Sequence, residues 1–163
     1  MLLLWRSLFF VAILPGSVTI LVPRWILAQP GAGAIGPWGV RAAVAFVPIA
    51  VGASILLYSV WEFARKGRGT LAPVDPPKQL VVSGLYRYVR NPMYVGVVAV
   101  LGGEALLYAS RPLLVWAGIF LAATHLFVVL YEEPHLARTF GDSYARYRRA
   151  VRRWIPGRPY RAG

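Results

Sequence analysis

The stretch Met93–Tyr131, MYVGVVAVLGGEALLYASRPLLVWAGIFLAATHLFVVLY, decides the fold. It contains only two charged residues, Glu104 and Arg111. A helix that crosses a bilayer needs roughly 20 mostly apolar residues. The stretch offers two such segments, Met93–Tyr108 and Pro112–Tyr131, with a break between them. The first is short and carries Glu104. Towards the N-terminus, Trp38–Phe63 is a third segment with Pro48 inside it. Leu2–Leu27 is a fourth, interrupted by Pro15-Gly16 and Pro23-Arg24. Proline is tolerated in such helices because neighbouring groups satisfy the freed carbonyls. The expectation is an all-α integral membrane helical bundle of about four transmembrane helices. Leu2–Leu27 is longer than the usual apolar core of a secretory leader, about 7–15 residues, and is read as an uncleaved span.

Composition agrees. The chain has 163 residues, 58% hydrophobic and 15% charged, with a mean hydropathy of +0.56. Soluble domains carry about 25% charged residues. There are no cysteines, which excludes a disulfide framework, a thiolate metal site and a cysteine nucleophile. With two histidines, His125 and His135, no metal site is expected. Length suits one domain. Residues 1–64 read as an N-terminal helix pair, 65–93 as a loop, and 94–163 as a core and tail.

The net charge of +12 would suggest nucleic acid on a soluble protein. Here the charge is segregated between apolar spans, where it meets anionic lipid head groups. Membrane lipids are the expected partners, and nucleic acid is not. Arg65, Lys66, Arg68, Lys78, Arg87 and Arg90 fall in the loop between spans two and three. The tail adds Arg138, Arg146, Arg148, Arg149, Arg152, Arg153, Arg158 and Arg161. The other side has only Arg24, Arg41 and Arg111. Basic residues in short loops mark the cytoplasmic side. The N-terminus, loop and tail are therefore expected there.

The tail reads as a C-terminal interfacial amphipathic helix. Pro134 suits a first turn, with Glu132 and Glu133 just before it. Gly141-Asp142 reads as a break followed by an N-cap. Tyr144, Tyr147, Val151 and Trp154 then recur at helical spacing, with arginines mostly elsewhere. That pattern fits a helix lying on a membrane surface.

Several residues can carry chemistry. In Arg90-Asn91-Pro92-Met93-Tyr94-Val95-Gly96, Pro92 makes a good first helical residue. The free N–H groups of that helix start can receive a carboxylate. The alternative is a snorkelling Arg90 and a plain helix start. Glu132-Glu133 ends the last span on the same side. A carboxylate there can bind an ammonium, or pair with a tail arginine. Gly96, Ala99 and Gly103 form a small-residue stripe, which favours close helix packing over a ligand ring. Glu104 and His125 lie deeper and read as a buried polar pair between spans. The tyrosines near the boundary read mostly as belt aromatics. Gly31, Gly33 and Gly36 fit G-x-G-x-x-G but follow no strand, so a dinucleotide fold is rejected.

Three blocks occur in order: Leu80–Gly96 (LVVSGLYRYVRNPMYVG), Leu130–Pro134 (LYEEP) and Phe140–Tyr147 (FGDSYARY), followed by Val151, Arg153 and Pro156. Together they resemble the isoprenylcysteine carboxyl methyltransferase and phospholipid methyltransferase superfamily, in a small bacterial-type form. The resemblance covers about Lys78–Pro156, judged by motif extent. It implies a membrane-embedded enzyme that uses S-adenosylmethionine from the cytoplasm and a lipid-like or small hydrophobic acceptor. It implies cofactor contacts at Lys78, Gln79, Leu80, Val81, Tyr86, Asn91, Pro92, Met93, Tyr94 and Glu132. Arg90 and Glu133 are the expected catalytic residues, the first orienting an anionic acceptor and the second accepting a proton. Many prenylcysteine-type members have His where this chain has Asn91. The eukaryotic ones have Arg where it has Val128. Those departures put a prenylcysteine acceptor in doubt. A nicotinamide-dependent membrane reductase and a non-catalytic scaffold or transporter subunit are the rival classes. The acceptor atom and the oligomeric state are not legible.

Overall fold

The computed structural model describes residues 15–34, 39–66 and 80–161. Among them the structure is helical, with one isolated β-bridge. The sequence expectations at Lys78 and Gln79, and at the first fourteen residues, lie outside the described residues.

A π-helical turn, Ser17–Leu21, leads into α1, Val22–Leu27. α2 is Val40–Lys66, α3 is Pro92–Leu107 and α4 is Arg111–Phe127. A second π-helical turn, Val128–Glu132, joins α4 to α5, Glu133–Ala150. Pro48 sits inside α2, as expected. The hydroxyls of Ser54 and Ser59 donate to Ala50 and Ile55 carbonyls one turn back, at 2.8 and 2.6 Å, so neither needs water.

Among the described residues two helical runs are long and apolar enough to cross a membrane: Val40–Glu62 and the run that begins at Arg111. Ser17–Leu27 and Pro92–Leu107 are apolar but shorter. The outward faces are apolar. Val40, Val47, Leu57, Leu114, Val115 and Leu126 are all exposed. So many exposed large apolar side chains are unusual on a soluble monomer and need lipid or a partner to cover them.

α2 and α3 pack through small residues. A Cβ on Gly52 would fall 2.6 Å from the Gly96 carbonyl oxygen, and one on Gly96 would fall 2.7 Å from that of Gly52. Gly103 lies equally close to Ile49 and Ala45. The stripe on α3 is therefore a helix seam, as its spacing suggests. The adjoining face of α3 builds a core with α4 and α2: Val97, Leu101 and Ala117, packed by Leu56, Trp116, Phe120 and Val18. Trp116 also donates its indole N–H to the Val18 carbonyl at 3.1 Å, tying α4 to the N-terminal segment.

The α3–α4 corner is held by Ser110. Its hydroxyl donates to the Ala32 carbonyl and accepts from Leu113 N–H at 3.3 Å, capping α4. Ala109 takes φ +47 to make the turn.

The tail departs from expectation in two ways. Gly141 does break α5 (φ 50, ψ −125), but the helix ends at Ala150, and Val151 is extended. Val151 and Trp154 therefore lie beyond the helix. Residues after 150 run beside the segment that precedes α3. Arg90 N–H donates to the Arg152 carbonyl, Gly157 N–H to that of Tyr88 and Tyr160 N–H to that of Arg87, each at 2.9 Å. Val89 and Arg152 form the bridge. The apolar face of α5 is covered by this chain's own residues. Tyr144, Tyr147 and Val151 pack with Leu80, Val82, Leu136, Phe140 and Tyr160. α5 is thus a lid on the loop and tail, and its Tyr face is not the part that meets lipid.

Candidate active site

The site forms where α3 begins, α4 ends and the tail crosses. Pro92 is the first residue of α3 and is buried, with Asn91 before it at φ −122. Asn91 is buried and donates from Nδ2 to the Arg153 carbonyl at 3.2 Å. It therefore anchors the tail to the start of α3. Met93 is half-buried beside it.

Arg90 and Glu133 meet. Arg90 Nη1 donates to Glu133 Oε1 at 2.8 Å. Arg153 donates to the same carboxylate through Nε at 2.7 Å and Nη2 at 3.0 Å. The Glu133 and Arg90 side chains are 8% and 11% exposed and that of Arg153 is 28% exposed, so the Glu133–Arg90 pair is largely desolvated and Arg153 is partly open to solvent. The Tyr144 hydroxyl lies 3.4 Å from Arg90 Nη1 and closes it. Charge-assisted, forked contacts of this kind fix geometry as well as charge. Glu133 is thereby committed to two guanidinium groups.

Glu132 is differently placed. The π-helical turn directly before α5 ends on it, and such turns in helices often occur at functional sites. Its carboxylate lies beside Tyr94 across the α3–α4 boundary. Its Oε2 is buried with no hydrogen-bond partner among the described residues. Two further atoms share that condition nearby: Arg90 Nε and the Tyr86 hydroxyl.

Tyr86 lies on a 3-10 turn, Gly84–Arg87, and is buried. Its carbonyl accepts from the Tyr147 hydroxyl at 2.6 Å, which fixes the turn against α5. Burial, and then the nearby Glu132 carboxylate, push the Tyr86 hydroxyl well above the ordinary tyrosine range. It is therefore a neutral donor at any physiological pH. Leu80 and Val81 lead into this turn, Leu80 packing on the Tyr144–Tyr147–Val151 cluster and Val81 buried.

Tyr94 carries an aromatic group on its other side. Its ring centroid is 6.5 Å from that of Phe120 and 6.4 Å from that of Trp154. His125 does not pair with Glu104. Its Nδ1 accepts from the Trp154 indole N–H at 3.1 Å, because the extended tail brings Trp154 to α4. Glu104 Oε2 is buried without a partner among the described residues.

The structure thus brings Tyr86, Arg90, Asn91, Pro92, Tyr94, Glu132 and Glu133 together. Sequence reasoning missed Glu62, Arg153, Tyr147 and Trp154 as members of this region. Glu62 is buried near the end of α2 and accepts from the Ser83 hydroxyl. It is an acid at the boundary of an apolar span, the same signal that marked Glu132, and could have been found that way.

Comparison with known proteins gives a consistent picture. The family model for phospholipid methyltransferases matches residues 40–143. The protein-S-isoprenylcysteine O-methyltransferase of Schizosaccharomyces pombe is 37% identical over 87 residues, 47% of this chain and 33% of that protein. A phosphatidylethanolamine N-methyltransferase of Paracoccidioides brasiliensis is 32% identical over 72 residues, 44% of this chain and 7% of that protein. An uncharacterised protein of Haemophilus influenzae is 35% identical over 65 residues, 39% of this chain and all of that protein. The matched segments amount to a third or less of the two named enzymes.

Proposed function

The chain belongs to the phospholipid methyltransferase family, and on that premise we propose that it transfers methyl groups from S-adenosylmethionine to a lipid-like or small hydrophobic acceptor at the cytoplasmic membrane face. The observation that carries this reading is the set of buried, unpartnered polar atoms: Glu132 Oε2, Arg90 Nε and the Tyr86 hydroxyl. A buried polar group without a partner costs roughly 1–3 kcal/mol, more for a charged one. A carboxylate oxygen, a guanidinium N–H and a neutral hydroxyl together fit a zwitterion. The amino-acid portion of S-adenosylmethionine is one, with an ammonium for Glu132 and a carboxylate for Arg90.

When bound, that cofactor supplies an electrophilic methyl group on a sulfonium. The chain's own residues then bind, orient and exclude water. Glu132 holds the ammonium, and Tyr94 lies beside Glu132. Arg90 faces the carboxylate through Nε while Nη1 stays on Glu133. Tyr86 donates from the loop side. Leu80, Val81, Asn91, Pro92 and Met93 shape the walls. Glu133 positions Arg90, so a general base would have to come from elsewhere, or from the acceptor itself. Burial at the boundary strengthens each of these dipoles.

The four-span arrangement, with the N-terminus, loop and tail cytoplasmic, is part of the same proposal. It rests on the basic residues of the loop and tail. The experiment is calorimetric titration of the detergent-purified protein with S-adenosylmethionine, S-adenosylhomocysteine and NADPH. Saturable binding of the two adenosyl ligands alone supports methyl transfer. Selective NADPH binding would replace it with a reductase, and no binding by a folded sample with a scaffold.

A further inference from the structure

Resting on that reading, we infer that Trp154 is a specificity-determining residue, whose indole walls the bilayer side of the site and lies against the chain of a lipid-borne acceptor.

The placement follows from four residues in line. His125 is exposed on α4, beside the exposed apolar residue Leu126. It accepts the Trp154 indole N–H at 3.1 Å, with ring centroids 6.0 Å apart. Trp154 in turn packs on Tyr94, at 6.4 Å and tilted by 55°. Tyr94 itself lies beside Glu132. A path from the exposed surface of α4 at His125 to Glu132 therefore runs past the Trp154 indole, with the Phe120 ring on Tyr94 beside it.

That indole is held from both ends. On the chain side, Arg153 is clamped by Glu133 and by Asn91, so the residue before Trp154 cannot drift. On the ring side, the bond to His125 sets its tilt. A tryptophan that merely anchored the tail in the headgroup region would need neither constraint, since belt aromatics act through their depth alone. An aromatic wall with its polar edge tied down presents a flat apolar face, which suits an alkyl or prenyl chain.

The test separates the chain from the cofactor portion. Two stable ligands carry nitrogen in place of the sulfur of S-adenosylhomocysteine, one with an N-methyl group and one with an N-decyl chain. Their affinities are measured by calorimetry on the full-length protein in nanodiscs. In the parent protein the decyl ligand binds more tightly. Trp154→Ala lowers the decyl affinity at least fivefold and leaves the methyl ligand within twofold. Trp154→Phe keeps most of the difference, and His125→Phe, which removes the acceptor of the indole bond, lowers it partway. A decyl-to-methyl ratio unmoved by Trp154→Ala, or an equal loss for both ligands, would overturn the inference while leaving methyl transfer intact. Failure of the parent protein to bind either ligand would overturn both.

Discussion

Glu132 and Glu133 are adjacent in the chain and have opposite surroundings. Glu133 is shared by Arg90 and Arg153, whereas Glu132 has a buried oxygen without a partner among the described residues. Replacing each by glutamine should therefore give different failures. Glu132→Gln removes the charge offered to an ammonium. It should weaken S-adenosylmethionine binding at least tenfold, about 1.4 kcal/mol, with little change in unfolding temperature. Glu133→Gln leaves two guanidinium groups without their carboxylate. Removing one partner of a buried ion pair costs about 3–5 kcal/mol, so it should lower stability first. Calorimetry and thermal unfolding on both variants check this. Equal loss of binding with equal stability would contradict the division of labour.

Arg153 carries the tail through the same carboxylate. Arg153→Ala should destabilise the protein and free the tail, making Arg152, whose carbonyl accepts from Arg90 N–H, an early site of tryptic cleavage. Combined with Glu133→Gln, the losses should fall short of additivity by about 1–3 kcal/mol, as expected for residues in one network. Strictly additive losses would show that the two residues act separately.

The helices were legible because apolar length and proline position are local signals. α3 starts at Pro92 and α2 carries Pro48 inside it, as the sequence suggests. The Gly96–Gly103 stripe and the Gly141 break were legible for the same reason. The tail beyond Ala150 was not. Val151 and Trp154 continue the spacing of Tyr144 and Tyr147, so periodicity extends the helix past its end. What ends it is pairing with residues 87–90, some sixty positions earlier, and no window along the chain reports such a contact. The same non-local pairing joins His125 to Trp154 and Arg153 to Glu133. Of the site, the residue types were readable, and the partner each carboxylate takes was not.

The α2–α3 seam makes a sharp steric prediction. Gly96→Val should destabilise the bundle by about 1–3 kcal/mol or more, the range for overpacking. The obstacle is backbone, since the nearest atoms are the Gly52 carbonyl oxygen and Leu56 N, 2.7 and 2.9 Å from a Cβ at this position. Gly102→Ala is the control. Its Cβ would meet no atom within 4 Å among the described residues. There the gain in helix propensity, up to about 1 kcal/mol, should keep or raise stability. If both variants unfold at the parent temperature, the helices are not in this contact.

Orientation is testable because the chain has no cysteine, so a single introduced thiol reports its own side. Ser143 on α5 and Gln29 after α1 are both exposed. The tail around Ser143 holds Arg138, Arg146, Arg148 and Arg149, whereas the loop after Gln29 holds only Arg41 at its far end. Arginine in short flanking segments is retained on the cytoplasmic side. A membrane-impermeant maleimide should therefore label Ser143→Cys in inside-out vesicles and Gln29→Cys in right-side-out ones. The helical run from Arg111 is long and apolar enough to cross once between the corner at Ser110 and the tail, and Ser110 binds the Ala32 carbonyl beside Gln29. Labelling of both positions from one side would mean that this run does not cross. Labelling of Ser143→Cys in right-side-out vesicles instead would move the Tyr94–Glu132 site away from the cytoplasm.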